Sequence, residues 1–456
     1  MLAIGLSWRQ ALPAIVVAYC ITAVPILLTG TIGTRLRVPF SVLSRSSFGF
    51  WFSYFPVITR GIIAMSWFGI QTYNGSECIY QVHYLSRRNV MFQQHNLSDA
   101  EGHMAVYRPY LKSHTGLVKH YQRMMCYLLY WLLQFPFMLL SPQKIRYLFM
   151  IKGVIVPFAW LAMVIWAFIK VPPSVGLFSQ HAAVQGSDLS WAWLTALNTD
   201  FTRYATHERA QYSQAIIIPV AFTLCSFAGL ALINQWDNRA AAFFASFAFL
   251  LTTIGTNISA NALVAANDLT VCFPKYINIR RGQVICAFIG GWAFCPWEVL
   301  AKASGFLSFL SGYTIFIGPF IGIMIVDYWL IHQGKIDVPA MYQVNGRYRY
   351  TYGVNWRALA TLVICIAPAM PGLIHSIKPS INVGGIHNLF AIGWIFGFWS
   401  AFVVYYALST LFPARGTYVE KAVLPDDVIP PSTSCDSTDE DVEKLDKAHV
   451  TPGTVS

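Results

Sequence analysis

The chain has 456 residues, of which 56% are hydrophobic and only 11% are charged, and its formal net charge is +11. Soluble globular domains carry about 25% charged residues, so this composition excludes an ordinary soluble protein and is typical of a polytopic membrane protein. The positive charge does not indicate a nucleic-acid partner, because Lys and Arg lie in short runs between apolar segments and not on one basic face.

Sequence motifs of enzymes and metalloproteins are missing from the chain. The nine cysteines form no CxxC pair and no Cys/His spacing typical of a metal site, and most lie inside apolar segments. There is no GxSxG or P-loop, and after His207-Glu208 the second histidine of an HExxH motif is replaced by Gln211. We therefore expect neither an enzyme nor a metal or redox cofactor.

Ten apolar runs are long enough to cross a bilayer, which takes roughly 20 helical residues. They are Ala11–Thr29, Ser53–Ile79, Met124–Ser141, Tyr147–Ile169, Gln214–Ile233, Ala240–Ala266, Val284–Ala301, Phe306–Ile331, Ala358–Ile374 and Ile386–Leu411. An eleventh, Leu189–Phe201, has an apolar part of about 13 residues, or about 20 Å of helix against a hydrocarbon core of about 30 Å. Residues 1–412 are thus predicted to form a transmembrane domain of about eleven spans, one of them short.

Loop charge predicts the topology, because cytoplasmic loops are enriched in Lys and Arg. Basic clusters follow the first, third, sixth and eighth runs: Arg35, Arg37 and Arg45; Lys144, Arg146 and Lys152; Lys275, Arg280 and Arg281; Lys335, Arg347, Arg349 and Arg357. All four loops are cytoplasmic only if the short run also crosses. This places loop Ser86–Arg123, with a possible glycosylation acceptor at Asn96, outside. It also places the start of the chain outside, so we expect one spanning helix to be missing before Met1.

The segment 413–456 is predicted to be a cytoplasmic tail that is largely disordered. From about Pro425 it is rich in Pro, Ser, Asp and Glu, a composition that cannot bury enough apolar surface to fold. A solvated terminus is the simplest interpretation. The alternative is a role in trafficking, with ubiquitin-linked machinery as partner at Lys421 or Lys444.

The stretch TTIGTNISANALVAAND, Thr252–Asp268, carries hydroxyls and amides inside an apolar run. At about 100° per residue, Thr252, Gly255, Thr256 and Ser259 share one face of a helix, and Asn257 and Asn261 lie on another. Hydroxyl and carbonyl oxygens suit a small hard cation such as Na⁺, and paired carboxamides suit a ligand with alternating donors and acceptors. The alternative is that both stripes only pack helices together.

The second run carries a polar and aromatic face. Its residues are Arg60, Ala64, Trp67, Gln71, Asn74 and Cys78. Trp67 with Gln71 one turn later combines a flat stacking surface with a two-sided hydrogen-bonding group, which a planar heterocycle with amide edges needs. Packing is the alternative, because the chain has 15 tryptophans. Asp327, at the inner end of the eighth run, is interpreted as a boundary residue.

Long motifs spread over the chain carry a resemblance to a known family. They are GLSWRQA (Gly5–Ala11), SRSSFG (Ser44–Gly49), SWFGIQTYNGSEC (Ser66–Cys78), DFTRY (Asp200–Tyr204), GTNISANALVAANDL (Gly255–Leu269), PKYINIRRG (Pro274–Gly282), Cys295-Pro296-Trp297, FLSGYTIFIGPFIGIMIVDYW (Phe309–Trp329) and GKIDVP (Gly334–Pro339). Together they resemble the Fur-type branch of the nucleobase–cation symporter-1 family, over nearly all of the chain to about Phe412.

The resemblance implies an all-α transporter fold of two inverted five-helix repeats. It further implies alternating-access uptake of uracil, allantoin, uridine or a related heterocycle with a proton or Na⁺, in the plasma membrane. No cofactor is expected other than the coupling ion, and no metal beyond a possible Na⁺.

The resemblance also assigns roles to individual residues. Trp67 matches the stacking aromatic, Gln71 its hydrogen-bonding partner and Asn261 the substrate-binding amide, with Asn257 beside it. Thr252, Gly255 and Thr256 match cation-binding positions, where Gly255 offers only its carbonyl. Tyr313 and Phe316 match the region of the outer gate.

Two departures from the family pattern leave a second hypothesis open. The family's first helix is expected to be absent, because GLSWRQA normally follows it, and the sixth is expected to be shortened, because Thr199-Asp200 directly follows Asn198. These two helices line the central site of such folds. The alternative to a transporter is therefore a non-transporting truncated paralogue, a mis-spliced product or a regulatory partner of a full-length permease.

Overall fold

The computed structural model describes residues 8–95, 108–140, 142–170, 239–301, 303–378, 380–386, 389–390 and 392–424. Its α-helices are α1 (Trp8–Leu36), α2 (Phe40–Phe48), α3 (Tyr54–His95), α4 (Arg108–Leu139), α5 (Pro142–Lys170), α6 (Arg239–Thr256), α7 (Leu263–Cys272), α8 (Ile279–Phe288), α9 (Pro296–Ala301), α10 (Ala303–Ile325), α11 (Trp356–Ile366), α12 (Met370–Ile377) and α13 (Gly393–Leu411). This part of the chain has two isolated β-bridges and no longer strand, which agrees with the predicted all-α class.

Short 3₁₀ turns, which are wound more tightly than an α-helix, and π-helical turns, which are wound more widely, continue several of these helices. The π-helical turns are Asn257–Ala262, Ile289–Ala293 and Val326–Ile331. The 3₁₀ turns are Pro339–Tyr342, Arg347–Arg349, Ala367–Ala369, Gly384–Ile386 and Arg415–Thr417. The turn Asn257–Ala262 joins α6 to α7 without a break, so the stretch singled out in the sequence lies on one continuous helical rod.

Five helical segments within the described residues are long and apolar enough to cross a membrane. They are Val16–Leu36, Ser246–Cys272, Gly312–Ile331, Trp356–Ile377 and Gly393–Leu411. Each overlaps a predicted run. The run Gln214–Ile233, the short run Leu189–Phe201 and the motif Asp200–Tyr204 lie outside the described residues, so these crossings and the shortened sixth helix stay predictions.

Close contact between α10 and α13 depends on glycine. A β-carbon at Gly318 would lie 2.7 Å from the carbonyl oxygen of Trp394, and one at Gly322 would lie 2.7 Å from that of Phe398. Such small residues let membrane helices approach until their backbones touch. The pair forms one side of the main buried core, which includes Phe320, Met324 and Tyr405.

A second buried core surrounds the middle of α3. Here Phe68 packs with Tyr130 of α4, with Ile258 of the π-helical turn and with Cys286 of α8, and all are almost completely buried. The core holds α3 against the rod of α6 and α7. It therefore fixes the relative position of the two segments that carry most of the predicted site.

Helix α2 packs into the main core through Val42, Leu43 and Phe48. Its Arg45 donates a 3.1 Å hydrogen bond to the carbonyl of Met341. Its Ser47 donates to the Asp327 carboxylate at 3.0 Å. Asp327 also accepts from Tyr405 at 2.8 Å and is 1% exposed. The structure adds to the interpretation of Asp327 as a boundary residue, because hydroxyl donors from α2 and α13 satisfy its carboxylate inside the fold.

Two sequence-based boundaries differ from the structure. The predicted loop Ser86–Arg123 is helical over 86–95 and 108–123, because polarity marks where a segment leaves the bilayer and not where its helix ends. The predicted continuous run Val284–Ala301 is interrupted before α9. Cys295 has a positive φ of 43°, and the following Pro296 disfavours the helical conformation at Cys295.

Candidate functional site

A π-helical turn places two of the predicted site residues. Asn257 and Asn261 both lie in the turn Asn257–Ala262 and are buried. A π-helical turn inserts an extra residue into an α-helix, and such turns frequently occur at functional sites. The turn changes the helical register within the stretch, so the two polar stripes predicted from an ideal α-helix are not simply continued along the rod.

Asn257 is the centre of a buried group of amides and hydroxyls. Its Nδ2 lies 3.2 Å from the carbonyl oxygen of Phe68, 3.1 Å from Thr72 Oγ1 and 3.1 Å from Gln134 Oε1. Gln134 Nε2 in turn donates to Thr72 Oγ1 at 2.8 Å. We call Thr72, Gln134, Asn257 and Asn261 the amide cluster; it joins α3, α4 and the π-helical turn.

Asn261 lies at the edge of the amide cluster. Its Nδ2 donates to Asn257 Oδ1 at 2.9 Å. Asn261 is 8% exposed, whereas Thr72, Gln134 and Asn257 are 0% exposed. A ligand can therefore reach Asn261 more directly than Asn257, whose amide is bonded on both sides within the protein.

The predicted stacking residue is on the half-buried part of α3. Trp67 makes an edge-to-face contact with Tyr313 of α10, with ring centroids 6.4 Å apart. Gln71, one turn further along, is half-buried, and its amide has no hydrogen-bond partner among the described residues. Phe316 lies one turn beyond Tyr313 and packs at the edge of the main core. The structure thus brings Trp67 and Tyr313 together. Asn74, predicted on the same face of α3, is exposed.

A lysine lies beside the residues predicted to bind a cation. Lys152 Nζ of α5 donates to Thr256 Oγ1 at 2.7 Å. A β-carbon at Gly255 would lie 2.9 Å from Lys152 Cδ, so glycine at this position leaves space for the lysine chain. Thr252 donates to the carbonyl of Ala248 at 2.8 Å. Lys152 is therefore not a loop residue, as its neighbours in the sequence suggest, but part of this site.

An ion pair joins the middle of α7 to α3. Arg60 Nε donates to Asp268 Oδ2 at 2.7 Å, and a second guanidinium nitrogen contacts the other carboxylate oxygen. The guanidinium carbon lies 3.9 Å from the ring centroid of Phe40 in α2. Since the Asp268 side chain is 2% exposed, its carboxylate needs partners within the protein, and the Arg60 guanidinium supplies two of its hydrogen bonds.

Sequence reasoning missed three residues of the site: Thr72, Gln134 and Lys152. A signal for each was present, because a polar or charged residue inside an apolar run needs a partner there. What the sequence lacked was the identity of that partner. Gln134 and Lys152 come from α4 and α5, and they meet the stretch Thr252–Asp268 only in the folded bundle.

Several apolar helices long enough to cross a bilayer, packed around a buried amide cluster, define the class of protein: a multi-pass membrane protein. Residues 1–86 and 104–397 match the family described as permeases for cytosine/purines, uracil, thiamine and allantoin. The chain belongs to this family, and the resemblance found in the sequence is confirmed.

Relatives of known and unknown activity support the assignment. An uncharacterised permease of Schizosaccharomyces pombe is 34% identical and covers 94% of this chain and 81% of its own length. The uracil permease of Saccharomyces cerevisiae is 31% identical over 92% of this chain and 71% of its own. Mhp1, a nucleobase-cation-symport-1 family transporter solved with bromovinylhydantoin bound, has a TM-score of 0.64 and 19% identity, covering 90% of this chain and 88% of its own. The protein therefore has the transporter fold of that family.

Proposed function

We propose that the protein takes up a heterocycle such as uracil, allantoin or uridine by secondary active transport with alternating access, in the plasma membrane. Membership of the permease family supports transport of this class of compound. The observation that carries the proposal is a half-buried indole and an unpaired Gln71 amide on α3, the helix to which Asn257 bonds the π-helical turn. The same turn holds Asn261, which is 8% exposed. This combination provides one stacking surface and two amide edges for a planar ring.

In the proposed complex, Trp67 stacks on the ring while Gln71 and Asn261 bond its edges. Tyr313, which contacts the edge of Trp67, lies next to the space that the ring would occupy, and Phe316 follows it as the second gate residue. Asn257 accepts a hydrogen bond from Asn261 and holds it in place, because the Asn257 amide is itself bonded to Phe68, Thr72 and Gln134.

We further propose that the coupling ion is a proton and not Na⁺. The Lys152 amine is 2.7 Å from Thr256, at the face predicted to bind the cation. A positive charge fixed there repels a second cation by about 4 kcal/mol at a separation of 4 Å and an effective dielectric constant of 20. An amine that binds and releases a proton in the same place can instead supply the coupling charge itself.

Uptake in yeast cells that lack their own permeases tests the proposal. The full chain should accumulate radiolabelled uracil, allantoin or uridine above background, and Asn261→Ala should reduce this uptake. Replacing external Na⁺ by choline should leave uptake unchanged, whereas dissipating the proton gradient should abolish accumulation. Background uptake of all three compounds by a chain present at the plasma membrane would instead support a non-transporting paralogue.

The acidic tail is proposed to serve trafficking. Lys421 is exposed and therefore accessible to ubiquitin-linked machinery, and Lys444 lies outside the described residues. Lys421→Arg should prolong the residence of the protein in the plasma membrane, as followed by fluorescence of a tagged chain. Unchanged turnover in a variant that lacks both lysines would contradict this role.

A further inference from the structure

The turn between α7 and α8 carries a group of exposed cations and aromatic rings. We call this group the basic turn; its members are Phe273, Lys275, Tyr276, Arg280 and Arg281, and all are exposed. The two rings stand out, because Phe273 is 51% exposed and Tyr276 is 73% exposed. No Asp or Glu lies between Asp268 and Glu298, so the neighbouring sequence supplies no counter-charge.

Hydrogen bonds within the basic turn hold its backbone in one shape. The carbonyl oxygen of Phe273 accepts from the amide of Tyr276 at 3.1 Å. Asn278 Oδ1 accepts from the amide of Arg281 at 2.9 Å, and Arg281 Nη1 donates to the carbonyl oxygen of Tyr276 at 2.9 Å. The exposed side chains are therefore carried by an ordered turn, which lowers the entropy lost when they bind a common partner.

Two of the three cations have no partner in the part of the chain that the structure describes. Lys275 and Arg280 make no hydrogen bond or ion pair with side chains or carbonyl groups there. In the next basic loop, by contrast, Arg347 donates to the carbonyl oxygen of Tyr418 at 3.0 Å and is held by the protein itself. The charge of the basic turn is therefore available to a further partner.

The basic turn lies where a bilayer-spanning segment ends. The segment Ser246–Cys272, long and apolar enough to cross, stops one residue before Phe273. Asp268, one helical turn before that end, pairs with Arg60 near the start of α3, the helix that follows α2. The Arg45 side chain of α2 in turn bonds Met341 of another basic loop. The structure thus gathers three of the four loops predicted to be cytoplasmic at one end of the bundle.

We propose that the basic turn binds the headgroup of an anionic phospholipid in the cytoplasmic leaflet. Each Lys or Arg near the membrane surface strengthens the attraction to anionic lipids, by roughly fivefold. Arg can also donate two hydrogen bonds to one phosphate group. Aromatic rings favour the layer between headgroups and acyl chains, so Phe273 and Tyr276 fit a lipid and not a soluble anion. Membrane topology requires the charges but not two exposed rings beside them.

Binding of labelled phosphatidylserine to the purified full chain in neutral detergent tests the proposal. The fluorophore is placed on an acyl chain, so the headgroup stays free, and fluorescence anisotropy reports binding. Unlabelled phosphatidylserine should displace it at concentrations at least about tenfold below those of phosphatidylcholine. Lys275→Gln with Arg280→Gln should weaken phosphatidylserine binding by roughly tenfold or more, because two cations are removed.

Matched variants separate the basic turn from net charge. Lys335→Gln with Arg415→Gln removes two exposed cations elsewhere in the chain and should keep the binding of the unmodified protein. Phe273→Ser with Tyr276→Ser keeps every charge and should still weaken phosphatidylserine binding. Raising the salt from 0.15 M to 1 M, which shortens the Debye length from about 8 Å to about 3 Å, should weaken it in the unmodified protein.

Several results would overturn the proposal. One is equal displacement by phosphatidylserine and phosphatidylcholine, and another is an equal loss in the Lys275/Arg280 and Lys335/Arg415 variants. Displacement by glycerophosphoserine, which lacks acyl chains, at the same concentration as phosphatidylserine would assign the site to a soluble anion. Binding that appears only when the acidic residues of the tail are replaced by amides would assign it to that tail; they are Asp436, Asp439, Glu440, Asp441 and Glu443. None of these results depends on the transported compound, so the proposed function is tested separately.

Discussion

At the residue scale, Trp67 is expected to contribute a stacking surface. Trp67→Ala should weaken apparent affinity for the transported heterocycle by the ~1–3 kcal/mol typical of stacking a base on an aromatic ring. Trp67→Phe should lose less, because it keeps an aromatic face. Concentration-dependent uptake measures both. Trp399→Ala, at a site that is 54% exposed on α13, is the control. Equal losses in Trp67→Ala and Trp67→Phe would instead identify Trp67 as a packing residue.

Lys152 allows a second prediction at this scale. Lys152→Arg keeps a positive charge near Thr256, but a guanidinium does not release its proton in proteins. We therefore expect proton-driven accumulation to be lost while exchange of labelled for unlabelled substrate across the membrane continues. Lys275→Arg, at an exposed position, should retain accumulation. Accumulation by Lys152→Arg at the normal rate would exclude Lys152 as the proton carrier.

At the scale of elements, helix α10 requires glycine where it meets α13 and tolerates alanine where it meets α12. In Gly322→Ala the new methyl group would lie 2.7 Å from the Phe398 carbonyl oxygen, so the helices must separate. Overpacking of this kind costs typically ~1–3 kcal/mol. Thermal unfolding in detergent should occur several degrees lower. Gly312→Ala is the matched control, because its methyl group would meet Leu373 at 3.4 Å, an ordinary contact. Equal midpoints for the two variants would contradict the packing described.

At the scale of the whole molecule, the segment after α13 is held to the core through His332. The ring Nε2 lies 3.1 Å from Thr417 Oγ1, whose proton is committed to the Ala414 carbonyl at 2.8 Å. The ring Nδ1 lies 3.0 Å from the Asp327 carbonyl and 3.4 Å from its carboxylate. Both nitrogens thus face acceptors, which only a protonated imidazole satisfies.

The pH dependence of this contact follows from its charge. Burial alone would lower the His332 pKa, but the Asp327 carboxylate and the hydrogen bonds to Asp327 raise it above its ordinary value of 6.5. Because the His332 pKa is raised in the folded state, the contact contributes its full stabilisation of the fold below about pH 6.5. This stabilisation is lost as the pH rises through the folded-state pKa. Tyr348 and Tyr418, which pack edge-on against the ring, add no opposing charge.

Hydrogen exchange tests the His332 contact. Amides of residues 414–424 should exchange faster at pH 8.5 than at pH 6, after correction for the intrinsic effect of pH. The difference should disappear in His332→Gln, where no charge changes. Protection that is equal at both pH values in the unmodified protein would contradict a role for the His332 charge.

Single-residue chemistry was predictable from the sequence wherever one helix carries the whole signal. Trp67 with Gln71, and Asn257 with Asn261, are spaced by one turn, so their proximity follows from local geometry. The partners of the Asp327 carboxylate were not predictable, because they are Ser47 and Tyr405, which are 280 and 78 residues away. No local pattern predicts which donors will meet a buried acceptor over such separations.

The sequence by itself determined the family, the all-α class and the residue types of the site, because apolar run length, polar residues within runs and long motifs are properties of consecutive residues. Only the tertiary structure decided how those residues are used. It placed Lys152 against Thr256, Gln134 behind Asn257 and Arg60 against Asp268. In each case a polar group in an apolar environment needs a partner, and packing of separate helices selects which one it finds.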